Sequence, residues 1–250
     1  MVSIILVNYK TKNITKACIE AIGGHTQYPH EIIVVDNNSA DDSLEYLNDL
    51  PDIKLIACKH VPEEVGEAHA EALDAGLFIA STKSKYALII HSDTIVKKDG
   101  WLKEIVNRIR VVPKGALLAA RSSRTWHLSD EKYYPGTDLM LLDLEAVRKT
   151  GAHFSPARDG LVGKSVLTAL GKAGYVGVWI THGEKRQLAD HLLHATWMVA
   201  REQLALGRGS KHPERPKRTG RPCGPCAKRA AEKKARGEAY VTNVKFFNEE

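Results

Sequence analysis

Nothing in these 250 residues approaches the ~20 consecutive apolar residues that a membrane span requires. The opening MVSIILVNYKTK lacks the basic region and small-residue cleavage site of a signal peptide, so a soluble, cytoplasmic protein is expected. Also missing, after that first apolar run, is a glycine-rich turn. Asn8-Tyr9-Lys10-Thr11-Lys12 offers no GxGxxG over which a helix N-terminus could approach a pyrophosphate, and no GxxxxGKS/T loop occurs. These absences argue against dinucleotide oxidoreductases and P-loop enzymes. The lack of a Gly-rich, Arg/Lys-containing loop at the same place argues against nucleotidyl transfer to a sugar phosphate. There is no internal repeat. Cysteine is scarce, with four residues. Cys18 and Cys58 lie in apolar surroundings and read as small buried residues. Cys223 and Cys226 have redox-motif spacing, but they fall in a basic, Pro-rich stretch rather than after a strand of a βαβ unit. A zinc site normally takes four ligands, and only His212 is near enough to suggest a third.

What the chain does have is unevenly placed charge. Its net charge of +6 is concentrated between Arg208 and Arg236, where 11 Lys and Arg face 2 Glu; the rest carries 25 basic and 28 acidic residues. Two parts are therefore expected: a nearly neutral domain over residues 1–207 and a basic, Pro-rich tail over 208–250 with an apolar end. A tail of this kind is either a solvated arm or a surface for an anionic partner such as DNA.

Over the first two-thirds, strand-like and helix-like segments alternate at the rhythm of a parallel α/β sheet. Residues 3–8 form a β-branched run of the kind covered on both faces. Asn13 is placed to cap a helix with apolar positions at Ile14, Ala17, Cys18, Ala21 and Ile22. Strands are predicted over 31–36, 52–57, 85–91, 115–121, 137–144 and 176–181. Helices are predicted over 42–50, 66–82, 99–110, 160–173 and, as a long terminal element, 184–206.

In open parallel sheets, ligands bind beyond the carboxyl ends of the strands. The residues there are Asn8 and Tyr9, Asp36 to Ser39, His91 to Thr94, and His182. All are polar, although the strands before them are almost wholly apolar. Asp36 can accept from a base or a ribose hydroxyl, or it can cap the Asp-Asn-Asn-Ser turn that it begins. Asp93, in His91-Ser92-Asp93, closes a strongly apolar strand. A carboxylate in that position is costly unless paired or bound to a cation, and hard divalent ions bridge readily to diphosphates.

With these residues placed, the sequence resembles the family 2 glycosyltransferases of GT-A fold. Glu31-Ile32-Ile33-Val34-Val35-Asp36-Asn37-Asn38-Ser39-Ala40-Asp41-Asp42-Ser43 is similar to that family's EIIVVDNxSxDxS signature. GEAHAEALDAG, residues 66–76, resembles the helix leading toward its sugar-nucleotide site. Residues 86–93 resemble the strand that ends in its metal-binding DXD, with His91 at the first Asp position. The resemblance covers residues 1–110 well and 138–183 more loosely.

It implies an α/β, GT-A type, mostly parallel sheet flanked by helices. It also implies a metal-dependent, inverting transfer of a sugar from a nucleotide-sugar donor, with a UDP-sugar favoured and Mn²⁺ or Mg²⁺ as cofactor. By the same resemblance the donor is held by Asn8, Tyr9, Asp36, Asn38, Asp41, Ser92 and Asp93, the metal by Asp93, His182 and His91, and Asp159 is the catalytic base. Asp138 is the next carboxylate on the predicted acceptor side. Trp126, His127, Tyr133 and Tyr134 offer stacking surfaces for an acceptor or pack their own loop. The alternative is a nucleic-acid-directed or non-catalytic binding protein with a degenerate GT-A site and a basic tail.

Overall fold

The structure, a computed structural model, describes residues 1–59, 65–120, 135–155 and 162–192. Asp159, the aromatic segment 126–134, the tail and both of its cysteines lie outside the described residues.

Seven strands form the central sheet: β1 (Val2–Asn8), β2 (His30–Asp36), β3 (Ile53–Ala57), β4 (Tyr86–Ile90), β6 (Gly115–Ala120), β7 (Leu139–Asp143) and β8 (Val176–Ile180). Their spatial order is β3-β2-β1-β4-β7-β6-β8. The pairs β1–β2, β1–β4, β2–β3 and β6–β8 are parallel, and β7 runs antiparallel to both of its neighbours. The helices are α1 (Lys12–His25), α2 (Ser43–Asn48), α3 (Val65–Phe78), α4 (Trp101–Arg110), α5 (Leu144–Thr150), α6 (Lys164–Lys172) and α7 (His182–Leu188).

The period-2 alternation of each strand divides its apolar residues between two cores. Ile4, Leu6, Val34, Leu88 and Leu141 pack with Cys18 and Ile22 of α1, Leu47 of α2, and Trp101 and Ile105 of α4. Ile5, Ile33, Ile89, Met140 and Leu142 pack on the opposite face with Leu73 of α3, Val147 of α5, and Val166 and Leu170 of α6. Each fully buried aliphatic side chain contributes about 1.5–3 kcal/mol. A sheet covered on both faces explains why its strands read as continuous apolar runs. Helix α3 lies close against β1: a Cβ on Gly76 would stand 2.4 Å from Cγ2 of Ile5. Only glycine allows that approach.

Helix α1 starts earlier than the pattern predicts, with Thr11 rather than Asn13 at its N-cap. The larger difference is at the end of the described chain. The apolar spacing over 184–206 predicts one long helix; α7 stops at Leu188 and the chain makes a short strand, β9 (Ala189–His191), while residues 193–206 lie outside the described residues. That strand pairs antiparallel with β5 (Thr94–Val96), with Thr94 opposite His191. Backbone bonds from Leu192 N to the Asp93 carbonyl (2.9 Å) and from Lys97 N to that of Leu188 (3.1 Å) close the pair. Tertiary pairing has overridden a local helical preference here.

Candidate functional site

The parallel strands β1, β2 and β4 end on the same edge of the sheet, at Asn8, Asp36 and Ile90. Because β7 is antiparallel to β4, with Ile90 opposite Leu139, the residues that enter β7 meet those that leave β4. The β5–β9 pair covers this edge and brings in His191.

At the β1–β2 end, Asn8 is fully buried and its amide is saturated. Nδ2 donates to Asp36 Oδ1 (2.7 Å) and to Ser39 Oγ (3.0 Å), while Oδ1 accepts from the hydroxyls of Thr11 (3.0 Å) and Thr15 (2.7 Å). Two donors and two acceptor sites are all that an amide has. Asn8 holds the two strand ends together, and all its side-chain hydrogen bonds are made within the chain. Asp36, 2% exposed, also accepts from Ser39 through Oγ (2.5 Å, on Oδ1) and backbone N (3.1 Å, on Oδ2). Its turn-capping role is therefore present, with acceptor capacity remaining on Oδ2. Tyr9 is 43% exposed at the rim, with the Lys10 ammonium 5.2 Å from its ring centroid. Asn38 is exposed in a left-handed conformation (φ 57°), which Asn tolerates better than most residues. Asp41 accepts from the Ser43 backbone N–H at 2.9 Å, at the entry to α2.

The second group lies beyond β4. His91, Asp93 and His191 each present one ligand atom, and these atoms all lie within 4.8 Å of one another. His191 Nε2 stands 3.0 Å from Asp93 Oδ1 and 3.3 Å from His91 Nδ1, and that Nδ1 is 3.9 Å from Asp93 Oδ1. The outer nitrogen of His91, Nε2, lies 2.9 Å from the Thr137 hydroxyl. Asp93 is buried, and Ser92 beside it is half-buried. Removal from water, with His69 and His191 adding to it, pushes His91 down to about 3. It is thus neutral near pH 7, the form in which imidazole ligates metals.

His182 is not part of this group. It is the first residue of α7 and is exposed, and the second histidine of the group is His191. The capping box of Thr181 and Glu184 starts the helix there and turns Lys185 inward. Lys185, 5% exposed, pairs with Asp138 Oδ2, and burial pushes its ammonium down to about 8. Asp138 also faces His191 Nδ1 at 3.4 Å.

Sequence reasoning missed His191, Lys185 and His69. His69 of α3 meets His91 edge to face, with centroids 5.4 Å apart. Burial pushes it down to about 4, and its Nε2 has no hydrogen-bond partner among the described residues. Its signal was a histidine amid the buried alanines 68, 70 and 72. His191 left no such signal, since three residues carry no usable periodicity.

Among the described residues, no helix is long and apolar enough to cross a membrane. No curated protein sequence matches the chain. Solved structures do. The mannosyltransferase PcManGT from Pyrobaculum calidifontis, in complex with GDP-Man and Mn²⁺, superposes with a TM-score of 0.57 at 16% identity, over 96% of this chain and 76% of its own. S. aureus TarS 1-349 in complex with UDP-GlcNAc gives 0.53 at 13% identity, over 81% and 66%. Glucosyl-3-phosphoglycerate synthase from Mycobacterium tuberculosis, in complex with Mn²⁺, UDP and glucosyl-3-phosphoglycerate, gives 0.52 at 15%, over 84% and 81%. At such identities the likeness shows the fold. The family model described as Glycosyl transferase family 2 matches residues 3–154. That is more than half of the chain, which therefore belongs to glycosyl transferase family 2 and carries the α/β, mostly parallel sheet of the GT-A fold.

Proposed function

We propose that this chain transfers a sugar from a nucleotide-sugar donor, with a UDP-sugar favoured, in an inverting reaction that depends on Mn²⁺ or Mg²⁺. The observation that carries this reading is the convergence of His91, Asp93 and His191 at the carboxyl ends of the strands. One carboxylate oxygen and two imidazole nitrogens fit a divalent ion and leave coordination positions for a diphosphate and water. Two nitrogens make the set less suited to Mg²⁺, which prefers oxygen, and so favour Mn²⁺ of the two. A cation there supplies positive charge to the departing nucleoside diphosphate.

The chain's own residues divide the remaining work. Asp36, through its Oδ2, and Tyr9 at the rim hold the base and ribose, with Asn38 and Asp41 shaping that subsite. Asp93, His91 and His191 hold the ion, and Ser92 faces the diphosphate. Asp159 remains the proposed base, receiving the acceptor's proton. Two of the three structural neighbours described above bind uridine nucleotides, which supports the preference for UDP. An anionic acceptor, such as DNA, is proposed on the charge between Arg208 and Arg236 alone.

The test is a panel of nucleotide sugars incubated with Mn²⁺ and candidate acceptors, with product masses measured. A mass increase of one sugar residue from a UDP-sugar is expected. A panel that yields neither product nor free nucleotide would refute the reading.

A further inference from the structure

The stretch Gly136-Thr137-Asp138, just before β7, touches both histidines of the cluster from behind. Thr137 Oγ1 lies 2.9 Å from His91 Nε2, and Asp138 Oδ2 lies 3.4 Å from His191 Nδ1. In each ring the other nitrogen faces inward: His91 Nδ1 and His191 Nε2 stand 3.3 Å apart, and His191 Nε2 is 3.0 Å from Asp93 Oδ1. We infer that Thr137 and Asp138 are positioning residues, which fix the tautomer and orientation of His91 and His191 so that their inner nitrogens are presented together to a divalent cation. The inference rests on the metal-dependent reading above.

Three features of the local chain support it. Asp138 is itself fixed, because Lys185, nearly fully buried, pairs with the same Oδ2. Its other oxygen folds back over residue 136, where a Cβ would stand 2.5 Å from Oδ1, so a side chain there would push the carboxylate aside. Its backbone carbonyl accepts from the Thr94 hydroxyl (3.3 Å), and Thr94 is the residue opposite His191 in the β5–β9 pair. The stretch is thus tied to both histidines and to β5, which pairs with the strand that carries His191. A histidine donates from its outer nitrogen to such a partner, which makes the inner nitrogen the unprotonated, ligating one. The carboxylate of Asp138 strengthens His191 as a donor, and the hydroxyl of Thr137, as acceptor, directs the ring of His91.

The test is Mn²⁺ binding to the full chain, read from the electron paramagnetic resonance signal of the free ion, with a melting curve for each protein. Asp138→Asn should weaken binding about 10- to 100-fold, and Thr137→Val should weaken it by a smaller factor. Lys185→Met should weaken it less than Asp138→Asn does, because the carboxylate that faces His191 remains although the ammonium that fixes it is gone. Asp138→Asn leaves a buried ammonium without its partner, so the double variant Asp138→Asn/Lys185→Met removes the pair as a unit; it should fold and show the same loss. Binding by Asp138→Asn or the double variant within twofold of wild type would overturn the inference while leaving the metal reading intact. Equal weakening by Lys185→Met would also overturn it, by making the pair a structural brace. Failure of the wild-type chain itself to bind Mn²⁺ would overturn both.

Discussion

His191 Nε2 lies 3.0 Å from Asp93 Oδ1, a contact made because β9 returns to pair with β5. This meeting of a strand-end carboxylate with a histidine from the far end of the described chain distinguishes His191 from His182. His191→Ala should raise the Mn²⁺ dissociation constant by at least about 100-fold, more than loss of an outer partner does. His182→Ala should leave it within about threefold. Calorimetric titration of the two variants checks this, and the reverse ranking would return His182 to the metal.

Asp36 caps its turn and is the proposed donor contact, and one substitution tests both. Asp36→Ala removes acceptors from the buried amide of Asn8 and from Ser39, which should cost about 1–3 kcal/mol of stability. If Asp36 also meets the donor, UDP affinity should fall about tenfold or more at a temperature where the variant is folded. A variant that melts early yet binds UDP normally would leave Asp36 with the turn alone.

Glu184 joins α7 to α4 through Arg108 (2.7 Å) and caps α7 through Thr181. The Arg108 guanidinium first, then the Thr181 bonds, hold its carboxyl down at about 2. A depressed carboxylate contributes stability above its unfolded pKa, near 4.5, and loses it as pH falls through the folded value. Glu184→Gln should therefore melt earlier than wild type at pH 7, by no more than about 1 kcal/mol because the pair is partly solvated. The difference should shrink between pH 5 and about 2. Melting curves in that range that stay parallel would show that the charge contributes nothing.

Gly76→Ala should destabilise the fold by about 1–3 kcal/mol, since the new methyl meets the stiff, buried Cγ2 of Ile5. Denaturant unfolding gives the value. A variant as stable as wild type would mean that α3 can move away from β1 freely.

Strands β1, β2 and β4 were legible in the sequence because burial on both faces leaves an unbroken β-branched or aliphatic run, ending in polar residues. Asp93 and His91 were legible for the same reason. The antiparallel direction of β7 was not, since a strand's own residues do not record the direction of its neighbour. That direction brings Thr137 and Asp138 to His91. Strands β5 and β9 have three residues each, too few for a period, so the 3.6-residue spacing after Glu184 hid the strand at 189–191. His191 and Lys185 were missed with it. Asn8 was correctly placed at a strand end, but its hydrogen-bond saturation depends on Thr11, Thr15, Asp36 and Ser39 meeting in space.

Nucleotide-sugar chemistry at this site is proposed to require a divalent cation held by Asp93. The most direct measurement is release of UDP from UDP-sugars by the wild-type chain with Mn²⁺, after chelation with EDTA, and after Mn²⁺ is restored, beside Asp93→Asn at saturating Mn²⁺. Release should disappear with EDTA, return with Mn²⁺, and be absent in the variant, whose melting curve should stay close to wild type. Equal release in EDTA, or undiminished release by Asp93→Asn, would contradict that requirement.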